Sequence, residues 1–313
     1  MAISECQSPI SNQQSAVESA ILSLQSTINP TIPNQESGNA NSPRARITLT
    51  RILSALVLLP VVVATIWLLP PLATLVLACL VSGLAYSELA SIAERFGLHV
   101  SRTLGTLATM AVCAAIGQSA AAGAVVLLSL VAVAGAVAVS RGTTAPTVLS
   151  EAAFLVSGVM YLGLPLGALV AIRASAGPEG LLLLLFVIMT SDTAQYYGGR
   201  AFGSRPLAPL ISPKKTVEGA LTGLVSAAVI TAALGRVWLA DVPMAWHLAL
   251  GVVVSGFGIL GDLFESLLKR SANLKDASGL IPGHGGMLDR IDSLLFASPV
   301  YYVFLGFLPG PSS

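Results

Sequence analysis

The 313-residue sequence predicts an all-α, polytopic integral membrane protein of about nine transmembrane helices, with its N-terminus cytosolic and its C-terminus outside. Three observations carry that prediction. Only 10% of residues are charged and 54% are hydrophobic, against roughly a quarter charged in an ordinary soluble domain, so a water-facing surface is hard to build from this chain. From Ile47 onward, apolar runs of the ~20 residues needed to cross a hydrocarbon core recur with short interruptions. Finally, the 16 Lys and Arg residues fall almost entirely on one side once those runs are counted in alternation.

Residues 1–43 differ from the rest. They are rich in Ser, Gln, Asn and Pro, carry Glu5, Glu18 and Glu36, and have no basic residue before Arg44, which describes a disordered cytosolic tail. This stretch lacks the basic start and apolar core of a signal peptide. Spans follow at about 47–69, 71–92, 103–119, 121–139, 152–172, 180–199, 216–236, 245–268 and 291–309. The third and fourth are parted only by the stretch from Gly117 to Gly123, while Pro60 and Pro165 fall inside spans and are expected to kink them. Strands are expected to play no part, because open sheet edges are not tolerated in lipid and no ten-residue alternation occurs. Cys6, Cys79 and Cys113 have no ligand-like spacing and read as small hydrophobes. A net charge of +1 argues against nucleic acid as a partner.

With the N-terminus inside, the cytosolic segments hold Arg44, Arg46, Arg51, Arg95, Arg102, Arg141, Arg200, Arg205, Lys214, Lys215, Lys269, Arg270, Lys275 and Arg290. The opposite face holds only Arg173 and Arg236. One span more or fewer near residue 120 would spoil this alternation, so the tally supports the count.

The acidic residues point to chemistry. Beyond the tail and the short loops most of them lie in or beside the last four spans, near the cytosolic ends, and ionisable groups at a membrane are costly enough to be functional candidates. The densest stretch runs from Gly261 to Ser293. Asp262, Glu265 and Lys269 share one helix face, a glycine-rich segment around His284, Gly285 and Gly286 lets a backbone approach a ligand, and Asp289 and Asp292 stand i, i+3 at the start of the last span. Carboxylates converging with Lys and Arg describe a divalent-metal and phosphate site, since Mg²⁺ takes carboxylate oxygens and the bases neutralise polyphosphate.

A second constellation is Ser191-Asp192-Thr193 with Gln195, Tyr196 and Arg200, followed by Ser212-Pro213-Lys214-Lys215. Ser212 before Pro213 reads as a helix start, and a helix N-terminus bearing two lysines is a phosphate-binding element; a capped membrane helix with positive-inside lysines is the plainer alternative. Asp192 needs a partner within its span, either holding Lys214 or joining a metal shell. Glu88 is expected to pair with Arg95 or Arg102 as a structural ion pair, and His99 and His247 receive no role.

The stretch Ser266-x-Leu268-Lys269-Arg270-x4-Lys275-Asp276-x-Ser278-x2-Ile281-Pro282-x-His284-Gly285-Gly286-Met287-x-Asp289-Arg290-Ile291-Asp292 resembles the signature of the phosphatidate cytidylyltransferase family, also called CDP-diglyceride synthetases. The DTAQYYGGR and SPKKTVEG segments and the arginine-led first span look like further family features. The resemblance implies an inner-membrane enzyme that joins CTP and phosphatidic acid into CDP-diacylglycerol and pyrophosphate, working as a homodimer within the bilayer, with residues 44–313 as its catalytic membrane domain. It implies Mg²⁺ on Asp262, Asp289 and Asp292, with K⁺ as a candidate second cation. Lys269, Arg270, Lys275 and Asp276 complete the catalytic set. Asp192, Ser212, Lys214, Lys215, His284, Gly285, Gly286 and Arg290 are the expected substrate contacts. Rival readings are a CTP-dependent polyprenol or phytol kinase, which would release CDP; an ion-coupled transporter, whose carboxylates would sit nearer the midplane; and an inactive scaffold.

Overall fold

The structure is a computed structural model that describes residues 56, 59–240, 242–280 and 285–307. The expected tail, Arg44, Arg46, Arg51, the start of the first span and His284 lie outside the described residues. All described residues belong to one compact unit, Ile47–Ser313.

The described chain is a helical bundle: α1 (Leu59–Leu68), α2 (Pro71–Arg95), α3 (Arg102–Gln118), α4 (Ala120–Ser140), α5 (Pro146–Ser175), α6 (Gly177–Phe202), α7 (Val217–Trp238), α8 (Met244–Ser271) and α9 (Leu288–Phe307). Six of these, α2 and α4 to α8, are long and apolar enough to cross a membrane. Local sequence sets the boundaries. Pro71 and Pro146 open α2 and α5, where their missing N–H costs nothing. Ser119 separates α3 from α4: its backbone N–H donates to Ala115 while its hydroxyl accepts from Ala122 N at 3.1 Å. The weakest boundary in the sequence is thus a true break.

Against the expectation that strands play no part, β1 (Pro206–Ala208) and β2 (Ser212–Thr216) form a short antiparallel pair between α6 and α7. The rule against open strands applies to hydrocarbon, and this pair lies in a polar connection with Arg205, Lys214 and Lys215. The Ser212 helix cap is corrected with it. Ser212 and Pro213 are in β2, and α7 begins at Val217 with Thr216 as its cap, the Thr216 hydroxyl accepting from Gly219 N at 3.1 Å.

Packing uses small residues, as it must where no water is expelled between helices. A side chain at Gly163 or Gly167 of α5 would stand 3.1 Å from the Thr109 carbonyl or 2.9 Å from the Cys113 carbonyl of α3. Gly219 and Gly223 do the same for α7 on α6: a Cβ at Gly219 would stand 2.7 Å from the Gln195 carbonyl, and the Thr222 hydroxyl donates to Ala194 O at 3.0 Å. Two apolar clusters result. One joins α2 to α5 with Leu288, Ile291 and Leu295 of α9; the other joins α1, the end of α5, α6 and α8 with Ala297 and Tyr301 of α9. Helix α9 therefore belongs to both, and the Tyr301 hydroxyl fastens it to Gly180 O at 2.9 Å.

Polar ties gather four connections at one end of the bundle. Glu151 accepts from His99 N at 3.0 Å and pairs with Arg141, linking the turns after α2 and α4. Glu88, near the end of α2, is bonded to the α8–α9 loop, and Lys215 of β2 pairs with Asp262 of α8. Of the thirteen described Lys and Arg residues, all but Arg173 and Arg236 lie in or beside these connections. Arg173 donates instead to Ile66 O of α1, at 3.1 Å.

Candidate active site

Four helices, α6 to α9, and the β pair enclose a cavity of about 490 Å³, within the range of small-molecule sites. Helix α6 contributes Asp192, Gln195, Tyr196 and Arg200; β2 contributes Lys214 and Lys215; α8 contributes Asp262; and α9 contributes Asp289, Asp292 and Ser293. Residues 192 and 292, a hundred positions apart, thus face one space. The Asp192 carboxylate accepts from Gln195 Nε2 at 3.1 Å and meets the Ser293 hydroxyl at 3.5 Å, and it stays open to the cavity. Four carboxylates around one cavity repel one another, so a cationic or phosphate-bridging occupant with cations is what the space favours.

Two lysines already answer part of that charge. Lys215 pairs with Asp262. Lys269 Nζ lies 2.5 Å from Glu265, which is wholly buried, and 2.6 Å from Asp289. Asp289 is the most committed carboxylate: its other oxygen accepts from Ala277 N at 3.0 Å and Gly286 N at 2.7 Å. It therefore pins the α8–α9 loop to the start of α9. Among the described residues, no three His, Cys, Asp or Glu side chains converge into a ready metal cage. The donor set still suits Mg²⁺, which keeps several waters and is commonly held by one or two carboxylates together with substrate phosphates.

Glu88 was expected beside Arg95 or Arg102 and is found elsewhere. Arg102 pairs with Glu94 at 2.7 Å. Glu88, only 5% exposed, accepts from the Ser278 hydroxyl at 2.6 Å and from Met287 N and Leu288 N at 2.9 and 2.8 Å. Those amides are orphan donors at the N-terminus of α9, and a carboxylate is the group best matched to them. The glycines of the loop are explained by this arrangement. Gly285 takes φ +81°, and a Cβ at Gly286 would collide with the Glu88 carboxylate.

The cavity brings together Asp192, Lys214, Lys215, Asp262, Asp289 and Asp292 of the expected set. Lys269, Gly285 and Gly286 stand behind it, in contact with Asp289. Ser212, Arg270, Lys275, Asp276 and Arg290 are not in its lining; Arg270 donates to Leu274 O at 3.2 Å, closing the C-terminal turn of α8. Arg200, Tyr196, Gln195 and Ser293 line the cavity and were not among the expected contacts. Their signal was the spacing from Asp192: residues 195, 196 and 200 follow it at i+3, i+4 and i+8, one face of the helix.

Comparison with known proteins agrees with the resemblance read from the motifs. The profile of the cytidylyltransferase family matches residues 49–308, and the chain belongs to that family. It is 39% identical over 158 residues to the phosphatidate cytidylyltransferase of Bacillus subtilis, covering 50% of this chain and 58% of that protein. It is 43% identical over 137 residues to the phosphatidate cytidylyltransferase of Haemophilus influenzae, covering 42% and 48%. Phosphatidate cytidylyltransferase 5, chloroplastic, of Arabidopsis thaliana is 43% identical over 131 residues, covering 42% and 33%. The matched stretch thus spans about half the length of the bacterial relatives.

Proposed function

We propose that this member of the cytidylyltransferase family transfers the CMP moiety of CTP to phosphatidic acid, giving CDP-diacylglycerol and pyrophosphate. The observation that carries the reading is the cavity itself: carboxylates from α6, α8 and α9 meet the lysines of β2 at the end of the bundle where the basic connections gather. Relatives named for this activity support it. The enzyme would act as a homodimer of nine-span subunits in the inner (plasma) membrane, N-terminus in and C-terminus out, with its cavity on the cytosolic side where CTP is found.

In the reaction an oxygen of the lipid phosphate attacks the α-phosphorus of CTP in line. The new P–O bond forms as the bond from the α-phosphorus to the bridging oxygen breaks, and pyrophosphate leaves with that electron pair. A lipid phosphate is already ionised, so no general base is required of the protein. Catalysis then rests on positioning and charge neutralisation. Lys214 and Lys215 on β2 neutralise phosphate oxygens. Lys269 holds Asp289 and Glu265, and through Asp289 the loop bearing Gly285 and Gly286. Asp192 orients Gln195 and Ser293 at the wall.

Of the carboxylates assigned to Mg²⁺, Asp262 and Asp292 would take the metal directly, with Asp289 fixing the loop beside them, since its oxygens already serve Lys269 and two amides. Bound there, Mg²⁺ would supply neutralisation of the triphosphate and of the negative charge that develops on the leaving pyrophosphate.

Labelled CTP decides between this reading and the kinase alternative. Purified protein in micelles containing both phosphatidate and a polyprenol, with Mg²⁺, is expected to move an α-phosphorus label into lipid and to leave a γ label in pyrophosphate. A γ label appearing in lipid, with CDP released, contradicts the proposal.

A further inference from the structure

The cavity is not uniform from rim to floor. Its floor is the buried start of α9, where the Asp289 side chain is 7% exposed and Ser293 is buried. Its rim is open and of different chemistry. Tyr196, 61% exposed, and Arg200, also exposed, lie one turn apart at the end of α6, and exposed Lys214 and half-buried Leu207 face them from the β pair. Large apolar side chains stand exposed beside the cavity lining. Tyr197 is 64% exposed with its ring 5.2 Å from that of Tyr196, and Leu210, in the turn of the β pair, is 95% exposed. Two guanidinium or ammonium groups beside outward tyrosines and leucines at the end of a membrane-length helix match an amphiphile whose charged group enters the cavity while its chains stay in the bilayer. Tyrosine favours that depth, where an apolar ring and a polar tip are both accommodated.

We infer that Arg200 and Lys214 form the subsite for the phosphate of the lipid substrate, and that Tyr196 and Leu207 are the threshold over which its glycerol and acyl chains pass into the bilayer. This rests on the cytidylyltransferase reading above and adds a division of labour to it: lipid phosphate at the basic rim, nucleotide with its metal at the acidic floor. Geometry favours that order. The lipid cannot leave the membrane without exposing its chains, so its phosphate reaches only the part of the cavity next to lipid-facing side chains, whereas CTP is free to occupy the interior. A guanidinium also pairs with phosphate in a bidentate fashion that ammonium lacks, which suits Arg200 to a phosphomonoester.

The test separates the two substrates. Initial rates are measured in mixed micelles, once with the mole fraction of phosphatidic acid varied at saturating CTP and once with CTP varied at saturating lipid. Arg200→Gln is expected to raise the half-saturating lipid fraction about tenfold or more, the loss of a charge-assisted pair, while leaving the KM for CTP within about twofold. Arg200→Lys is expected to recover part of the lipid affinity, and Tyr196→Ala to raise the lipid requirement without changing that for CTP. Binding of a fluorescent phosphatidic acid without CTP supplies a second readout: it should weaken in Arg200→Gln, and inorganic phosphate at equal concentration should not displace it. A rise in the KM for CTP with normal lipid dependence overturns the subsite. Should Arg200→Gln fail to fold, Lys214→Gln carries the same split. Wild-type protein that binds the lipid and makes no CDP-diacylglycerol would contradict the proposed function and leave the lipid subsite standing; product formed with normal lipid saturation in Arg200→Gln would do the reverse.

Discussion

Glu88 shows how a single side chain carries the geometry of a site it does not line. Its two oxygens take three donors on the α8–α9 loop and the first turn of α9, and Asp289 takes two amides of the same loop from the other side. In Glu88→Gln one of those donors faces an amide NH₂ instead of an oxygen, at a cost of about 1–3 kcal/mol. Hydrogen exchange of a peptide spanning residues 277–290 should therefore quicken in the variant, and unchanged exchange would show that the loop is held by something else. Lys269 is the other critical residue. Removing it in Lys269→Met leaves buried Glu265 and Asp289 without their cation, a loss on the order of 3–5 kcal/mol, and thermal unfolding should register it more strongly than Lys215→Met, whose partner Asp262 is partly exposed. The sequence marked Asp262, Asp289, Asp292 and the lysines by the cost of charge near a membrane. It did not reveal the role of Glu88, because a contact spanning 190 to 200 positions leaves no local pattern.

At the scale of elements, the apolar runs were legible and the β pair, with the cap it displaced, was not. Among the described residues each apolar run from Pro71 onward is a helix, the first run is described only as Leu59–Leu68, and the Ser119 break falls inside the stretch from Gly117 to Gly123 that parts the third and fourth runs. Ser212-Pro213 reads as a helix start by local rules, yet the pairing of Pro206 with Thr216 and Ala208 with Ser212 moved the start to Val217. Tertiary pairing overrode a local preference of the usual size, about 1 kcal/mol for a cap. The spacing Gly219-x3-Gly223 was a readable sign of the α6–α7 contact that brings Asp192 and Lys215 to one cavity. Gly219→Val should push these helices apart, costing about 1–3 kcal/mol by overpacking and lowering both melting temperature and turnover. Gly256→Ala, whose added methyl would meet only Leu224 at 3.9 Å, should change neither. Equal effects from the two variants would mean that the close approach is not what sets the site.

For the whole molecule, the unequal distribution of basic residues and the polar ties between connections make one face distinct. The turns after α2, α4, α6 and α8 share that face, with Arg173 and Arg236 at the other. In a variant with Cys6, Cys79 and Cys113 replaced, a thiol at Thr144→Cys should react with an impermeant reagent only from the cytosol and one at Ser175→Cys only from outside; the opposite pattern would invert the proposed orientation. The scarcity of charge is what makes the site stand out, since four of the eight acidic residues beyond the tail and the short connections meet in one cavity on that face. The central claim is that this cavity performs CMP transfer. Its most direct test is CDP-diacylglycerol formation by purified wild-type protein and by folded Asp292→Asn in the same micelles with CTP, phosphatidic acid and Mg²⁺. The account predicts product and pyrophosphate in equal amounts from the wild type and a rate lower by about 100-fold or more in the variant. Equal rates from the two proteins would contradict it.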